Sequence, residues 1–166
     1  MKRALVAAVR CIAVGTIALV QALTFVTLAV LAYQVFMRSA LNAPPSWSEE
    51  VALLAFSWTV LLGIAYGVRE GIHVRMNMLL ELLPASLHIW ADQAVTCVVT
   101  FVGLFLLVSG WNYVASSTGM TSAAIGYPMP LLYASVVVCG FLIVVFGFER
   151  LVLPVRDDRG TAEVDR

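Results

Sequence analysis

The stretch that decides the fold is CIAVGTIALVQALTFVTLAVLAYQVFM, residues 11–37, which contains no charged side chain. A backbone in lipid must satisfy its own hydrogen bonds, so an apolar run of this length crosses the membrane as a helix. The hydrocarbon core is about 30 Å thick and requires about 20 helical residues. Three further runs, at about 49–68, 92–115 and 129–150, meet that requirement. The sequence therefore predicts an all-α membrane protein in which residues 1–166 form one domain of four transmembrane helices.

Composition supports a membrane protein and excludes several other classes. Hydrophobic residues make up 61% of the chain and charged residues 12%, whereas about a quarter of the residues in soluble domains are charged. The net charge is zero and no basic cluster occurs on a soluble segment, so nucleic acid is not an expected partner. Cys11, Cys97 and Cys139 lie in or beside apolar runs without CxxC spacing and are interpreted as small buried side chains. We expect no metal and no cofactor.

The distribution of basic residues predicts the orientation of the helices. Nine of the ten Lys and Arg residues fall at the N-terminus, in the second loop or at the C-terminus, including the tail 151–166, and Arg38 alone falls on the other side. Basic residues near helix ends are retained in the cytoplasm, which places both termini there. A competing interpretation treats residues 1–32 as a cleaved signal peptide. Cleavage would leave three spans, and the charge distribution favours an even number.

A shorter segment at about 72–83 follows the second span and is too short to cross the membrane. Glu70, His73, Asn77 and Glu81 recur at helical spacing, which is typical of an amphipathic helix lying in the membrane interface. The polar positions of this predicted interfacial helix are His73, Arg75, Asn77 and Glu81. The helix either completes the loop or braces a larger partner.

An acidic and aromatic corner precedes the second span. Trp47, Glu49 and Glu50 follow Pro44-Pro45, and the prolines prevent the first helix from continuing. In one interpretation the carboxylates stabilise the positive N-terminal end of the second helix and the tryptophan is an interfacial anchor. In the other, the corner is a docking point for a partner protein. The residues alone leave both open.

Three glycines in and after the second span share one helical face. Gly63, Gly67 and Gly71 are spaced by four residues, which is the small-residue pattern of close helix contacts in membranes. The face packs either inside this chain or against another protein, and in both cases we expect bulky substitutions to weaken assembly.

The segment WSEEVALLAFSWTVLLGIAYGVREGIHV, residues 47–74, resembles the small membrane subunit, or Q subunit, of tripartite ATP-independent periplasmic (TRAP) transporters. Further matching positions before, inside and after the span are Arg38, Asn42, Gly63, Ala65, His73, Val74, Leu79, Leu80 and Pro84. The four-span arrangement with both termini inside extends the resemblance over nearly the whole chain. One departure is Asn77, where the family commonly carries an acidic residue.

The resemblance implies a scaffold subunit of a sodium-coupled transporter in the bacterial inner membrane. Its expected partners are a large multi-spanning permease subunit, which binds sodium and substrate, and a periplasmic solute-binding protein that delivers an organic acid. Trp47, Glu49 and Glu50 would face the periplasm. The candidate partner-binding residues are Arg38, Trp47, Glu49, Glu50, Gly63, Gly67 and Gly71.

Two other functions are compatible with a small four-span protein. A stand-alone proton-coupled exporter requires a carboxylate in mid-membrane, whereas every Asp and Glu here falls at or beyond a span end. A membrane anchor of a redox complex is the second alternative. His73 and His88 both fall outside the spans, which disfavours a membrane-buried haem, but an anchor without haem stays open.

Overall fold

The computed structural model describes residues 2–43, 45–70 and 85–152, which form four helices. The helices are α1 (Lys2–Leu41), α2 (Ser46–Glu70), α3 (Ala85–Ser116) and α4 (Pro130–Val152). Each contains an apolar stretch long enough to cross a membrane. The predicted all-α fold with four spans is therefore confirmed, whereas the predicted interfacial helix at 72–83 lies outside the described residues.

Two helices extend well beyond the predicted spans. The 40 residues of α1 correspond to about 60 Å at about 1.5 Å per residue, twice the thickness of the hydrocarbon core. Its N-terminal turns, which include Arg10, therefore precede the predicted span that begins at Cys11. Helix α3 likewise begins at Ala85, ahead of the span predicted at about 92–115. Hydropathy predicts only the part of a helix that crosses the lipid. The helix itself is longer, because its backbone hydrogen bonds can continue beyond the apolar run.

The helices pack in the spatial order α1, α2, α4, α3. The most extensive contacts are between α3 and α4, between α1 and α2, and between α2 and α4, whereas α1 touches α4 only locally. Helices α2 and α4 therefore form the centre, and α1 and α3 flank them with much of their surface exposed. In a membrane these exposed faces meet lipid or another protein.

One face of α1 follows a seven-residue repeat. Its buried and half-buried positions alternate in steps of four and three, which is typical of the left-handed packing of helices in bundles. These positions are Val9, Ala13, Thr16, Val20, Leu23, Thr27, Val30, Gln34 and Met37, and Ile17 beside Thr16 is also half-buried. The hydroxyls of Thr16 and Thr27 donate to the carbonyls of Ile12 and Leu23 at 2.9 and 2.8 Å, so neither polar group is left unpaired on this face.

The hydrophobic core lies at the end of the bundle that carries Arg69, Glu149 and Arg150, here called the arginine end. Three helices converge there, and the fully buried core side chains are Val9, Ala13, Leu62, Ala65, Val68, Cys139, Leu142, Ile143 and Phe146. Toward the other end α1 and α4 separate and leave an apolar groove of about 260 Å³. The indole N–H of Trp58, which lines this groove, donates to the carbonyl of Leu131 at 3.2 Å.

The closest helix packing is between α3 and α4 and depends on glycine. Gly103 and Gly110 in α3, and Gly140 and Gly147 in α4, are each seven residues apart and lie on the facing sides. A Cβ on Gly140 would lie 2.6 Å from the amide nitrogen of Leu107 and 2.8 Å from the carbonyl oxygen of Gly103. Such contacts exclude any side chain at Gly140, so glycine there allows the two backbones to approach closely.

The three cysteines occupy two kinds of environment. Cys139 is buried in the core, as expected, but Cys11 and Cys97 are exposed on the surface of the chain. The prediction that all three are buried is wrong, because an apolar run in a membrane helix has an outward face as apolar as its inward face.

We predict that Gly140→Ala destabilises the isolated chain by about 1–3 kcal/mol, the usual cost of overpacking a dense interior. The added methyl group would meet backbone atoms of α3, which cannot rotate away. Thermal unfolding of the purified protein in detergent, followed by tryptophan fluorescence, measures the effect. Gly63→Ala is the matched control, since a Cβ there meets nothing within 4 Å. Equal stability of the two variants would contradict the α3–α4 contact.

Candidate partner-binding surfaces

The turn between α1 and α2 is held by hydrogen bonds of its own. Asn42 follows α1 with a φ of 53°, a left-handed conformation that Asn tolerates better than most residues. The amide of Ala43 donates to the carbonyl of Met37 at 3.4 Å. Both the amide and the hydroxyl of the buried Ser48 donate to the carbonyl of Pro45, at 3.3 and 2.7 Å. These bonds fix the direction in which the first turn of α2 presents its side chains.

Trp47 and Glu49 both contact α1. The Trp47 ring stacks on Tyr33 with 5.9 Å between ring centroids and 27° between planes. The side-chain amide of Gln34 donates to a Glu49 carboxylate oxygen at 3.2 Å. Trp47 still exposes 42% of its surface, and Glu49 is also exposed. Both side chains therefore brace the α1–α2 pair and remain accessible from outside.

Glu50 points in a different direction and binds the connection between α3 and α4. Its carboxylate accepts hydrogen bonds from the Ser122 hydroxyl at 2.7 Å, the Ala124 amide at 2.8 Å and the Ile125 amide at 2.9 Å. The Ser122 hydroxyl in turn accepts one from the Gly126 amide at 3.1 Å. One carboxylate on α2 thus organises a turn more than seventy residues away in sequence.

That connection, residues 117–129, folds into a small hairpin. An isolated bridge joins Thr121 and Pro128. Backbone amides of Ser122 and Met129 donate to the carbonyls of Tyr127 and Met120, each at 2.9 Å. Gly119 and Gly126 adopt φ values of 90° and 76°, which side-chain-bearing residues rarely adopt. Partial burial, and then the negative charge of Glu50, raises the pKa of the Tyr127 phenol above its usual value.

Neither interpretation of Glu50 foresaw this contact. Glu50 does lie near the N-terminal end of α2, where a negative charge is favourable, but all three hydrogen-bond donors to its carboxylate come from the hairpin. Two glycines flanking a serine-containing turn are a sequence signal for a hairpin. No sequence signal connects that turn to α2.

The glycine face of α2 divides into three cases. Gly67 is buried. Gly63 is half-buried, and a Cβ on it would meet nothing within 4 Å. Gly71 lies outside the described residues. Packing among the described residues therefore does not account for the glycine at position 63, and the partner contact predicted there stays a prediction.

The arginine end carries polar contacts that sequence reasoning missed. The Arg69 guanidinium lies 3.7 Å from Glu149 of α4 and 3.4 Å from its neighbour Glu70. The Arg150 guanidinium donates to the carbonyl of Val68 at 3.4 Å. These contacts join α2 and α4 at the end opposite the Glu50 hairpin. From the sequence, the charged residues predicted only the orientation of the helices. Their pairing could not be predicted, because it depends on which helices are neighbours.

The remaining predicted site residues fall into two groups. Arg38 is exposed in the last turn of α1, close in sequence to the turn that leads to Trp47. His73, Arg75, Asn77 and Glu81 lie outside the described residues. Within 2–43, 45–70 and 85–152 no three His, Cys, Asp or Glu side chains are grouped so that they could hold a metal ion.

Comparison with known proteins identifies similar sequences. Residues 26–157 match the family model described as "Tripartite ATP-independent periplasmic transporters, DctQ component". The chain is 34% identical over 93 residues to the C4-dicarboxylate TRAP transporter small permease protein DctQ of Vibrio cholerae serotype O1, covering 55% of this chain and 38% of the relative.

Two further relatives carry related names. The DctQ protein of Rhodobacter capsulatus is 33% identical over 117 residues, 63% of this chain and 49% of the relative. The sialic acid TRAP transporter small permease protein SiaQ of Vibrio cholerae is 28% identical over 113 residues, 63% of this chain and 64% of the relative. The matches span less than two thirds of each of these three relatives.

Proposed function

The chain belongs to the DctQ family of TRAP transporter components, and we propose that it is the scaffold subunit of a sodium-coupled transporter that imports an organic acid. Members of this family are transporter components and not enzymes. Together with the four apolar helices, family membership identifies the chain as a multi-pass protein of the inner membrane. The names of the relatives include C4-dicarboxylate and sialic acid transporters. Both solutes are organic acids, and this supports the proposed substrate class.

The observation that carries the scaffold role is the position of the carboxylates. Glu50 lies in the first turns of α2, Glu70 is its last residue, and Glu149 lies in the last turn of α4. Asp92 precedes the apolar part of α3. An ion carried through a membrane needs polar or charged ligands at depth. The middle of these helices carries no carboxylate, and hydroxyls such as those of Thr27 and Thr59 donate to carbonyls of their own helix. Sodium coupling is therefore assigned to a partner.

Two partners follow from this proposal. The first is a large multi-spanning permease subunit, which packs on the open face at Gly63 of α2. The second is a periplasmic solute-binding protein, which approaches the exposed Trp47, Glu49 and Arg38. The predicted interfacial helix at 72–83 would brace the large subunit from the cytoplasmic side. Family membership favours this function over a redox anchor or a stand-alone exporter.

The proposal includes an orientation in which both termini are cytoplasmic and the hairpin is periplasmic. We predict that Ala123→Cys, in a chain whose three native cysteines are replaced by serine, reacts with a membrane-impermeant maleimide in intact spheroplasts. Ala123 is exposed in the hairpin, so its reaction depends on sidedness and not on burial. Arg166→Cys should react only after lysis. The reverse pattern would contradict the orientation.

Gly63→Leu tests the partner surface. We expect this variant to co-purify less of the large subunit than the native chain, because a bulky side chain on a close helix contact costs about 1–3 kcal/mol of packing energy. Quantitative pull-down from membranes that express the whole transporter measures the loss.

The stability of the isolated chain is the control for Gly63→Leu. Since a Cβ at Gly63 meets nothing within 4 Å, thermal unfolding of the isolated variant should stay close to that of the native chain. Recovery of the complex in native amounts would show that the partner lies elsewhere. Gly15→Leu makes the same substitution in α1, where the space is also open. It tests whether the large subunit contacts α1 instead of α2.

A further inference from the structure

The hairpin at 117–129 has little of its own to hold it together. A two-stranded hairpin in isolation is marginally stable at best. Here Pro128, one member of its only bridge, lacks an amide donor. The side chains of Met120 and Ile125 are exposed and Tyr127 is only half-buried, so the hairpin buries little apolar surface. Two backbone hydrogen bonds close the hairpin from within, and contacts from outside it supply the rest of its stability.

The donors of the turn converge on one carboxylate. The amides of Ala124 and Ile125 are consecutive and both point at Glu50, and the Ser122 hydroxyl completes the set. Successive backbone amides that face one point form a concavity that binds anions. Charge-assisted hydrogen bonds of this kind are stronger than those between neutral groups. Loss of the carboxylate would leave three donors of the turn without their common acceptor.

We infer that Glu50 is an internal latch, whose carboxylate keeps the hairpin turn folded and fastens the α3–α4 connection to the start of α2. Glu50 then acts within this chain as a positioning residue, and its oxygens are not a contact for another protein. The inference concerns the chain alone and does not depend on the proposed transport function.

The surrounding contacts limit what the latch controls. Below the hairpin, Trp58 of α2 still bonds the Leu131 carbonyl of α4. At the arginine end, Arg69 still faces Glu149. Releasing Glu50 should therefore loosen the hairpin and leave α2 and α4 packed. A local effect of this kind distinguishes a latch from a general loss of stability.

Glu49 provides a matched control. It is the same residue type in the same turn of α2, but its carboxylate accepts from Gln34 of α1. Replacing Glu49 removes a charge of equal size without touching the hairpin.

Amide hydrogen exchange, measured by mass spectrometry on the full chain in detergent micelles, tests the latch. We expect Glu50→Ala to accelerate exchange in the segment 120–127 at least tenfold, with α4 still protected. Glu50→Gln, which keeps one acceptor oxygen, should give an intermediate acceleration. Ser122→Ala, which removes one donor to Glu50 and the acceptor of the Gly126 amide, should give a severalfold acceleration. Glu49→Gln should match the native chain.

Unchanged exchange of 120–127 in Glu50→Ala would overturn the inference, as would an equal acceleration in Glu49→Gln. Acceleration spread evenly over α4 and the hairpin would also overturn it, since the latch is local. If Glu50→Ala does not fold, Glu50→Gln decides: accelerated exchange confined to 120–127 supports the latch, and native exchange refutes it.

Discussion

A peptide backbone inside hydrocarbon has no water to bond with, and this constraint determines the rest of the structure. It forces each apolar run into a helix and allows apolar side chains on every face. Burial of apolar surface then gives little preference for one helix neighbour over another, since lipid is as apolar as a leucine side chain. The arrangement of the helices therefore depends on small residues, which allow backbones to approach, and on a few polar contacts near the helix ends.

The four helices could be predicted from the sequence, whereas their arrangement could not. Hydropathy registers how long an apolar run is, and all four spans were long enough. It does not separate the inward face of α1 from its outward face, where Phe25 is 73% exposed and is as apolar as the buried Val9. The contact of Gly103 with Gly140 was likewise missed, because it requires knowing that α3 lies beside α4.

Glu49 and Glu50 show how far the site could be predicted. The sequence indicated that both lie in the first turns of α2, but adjacent residues on a helix point about 100° apart. One carboxylate therefore reaches α1 and the other reaches the hairpin. Only the packed structure shows that this rotation gives two neighbouring carboxylates different tasks. For Gly63 the structure shows only that a Cβ would meet nothing within 4 Å, so the partner surface predicted there stays a prediction.

The central claim is that this chain is a scaffold subunit of a transporter and does not itself couple the movement of an ion to that of a solute. Uptake of a radiolabelled organic acid into proteoliposomes tests it most directly. The account predicts sodium-driven accumulation when this chain, the large subunit and the binding protein are all present, and none when this chain is reconstituted alone. Accumulation by this chain alone, driven by a sodium or proton gradient, would contradict it.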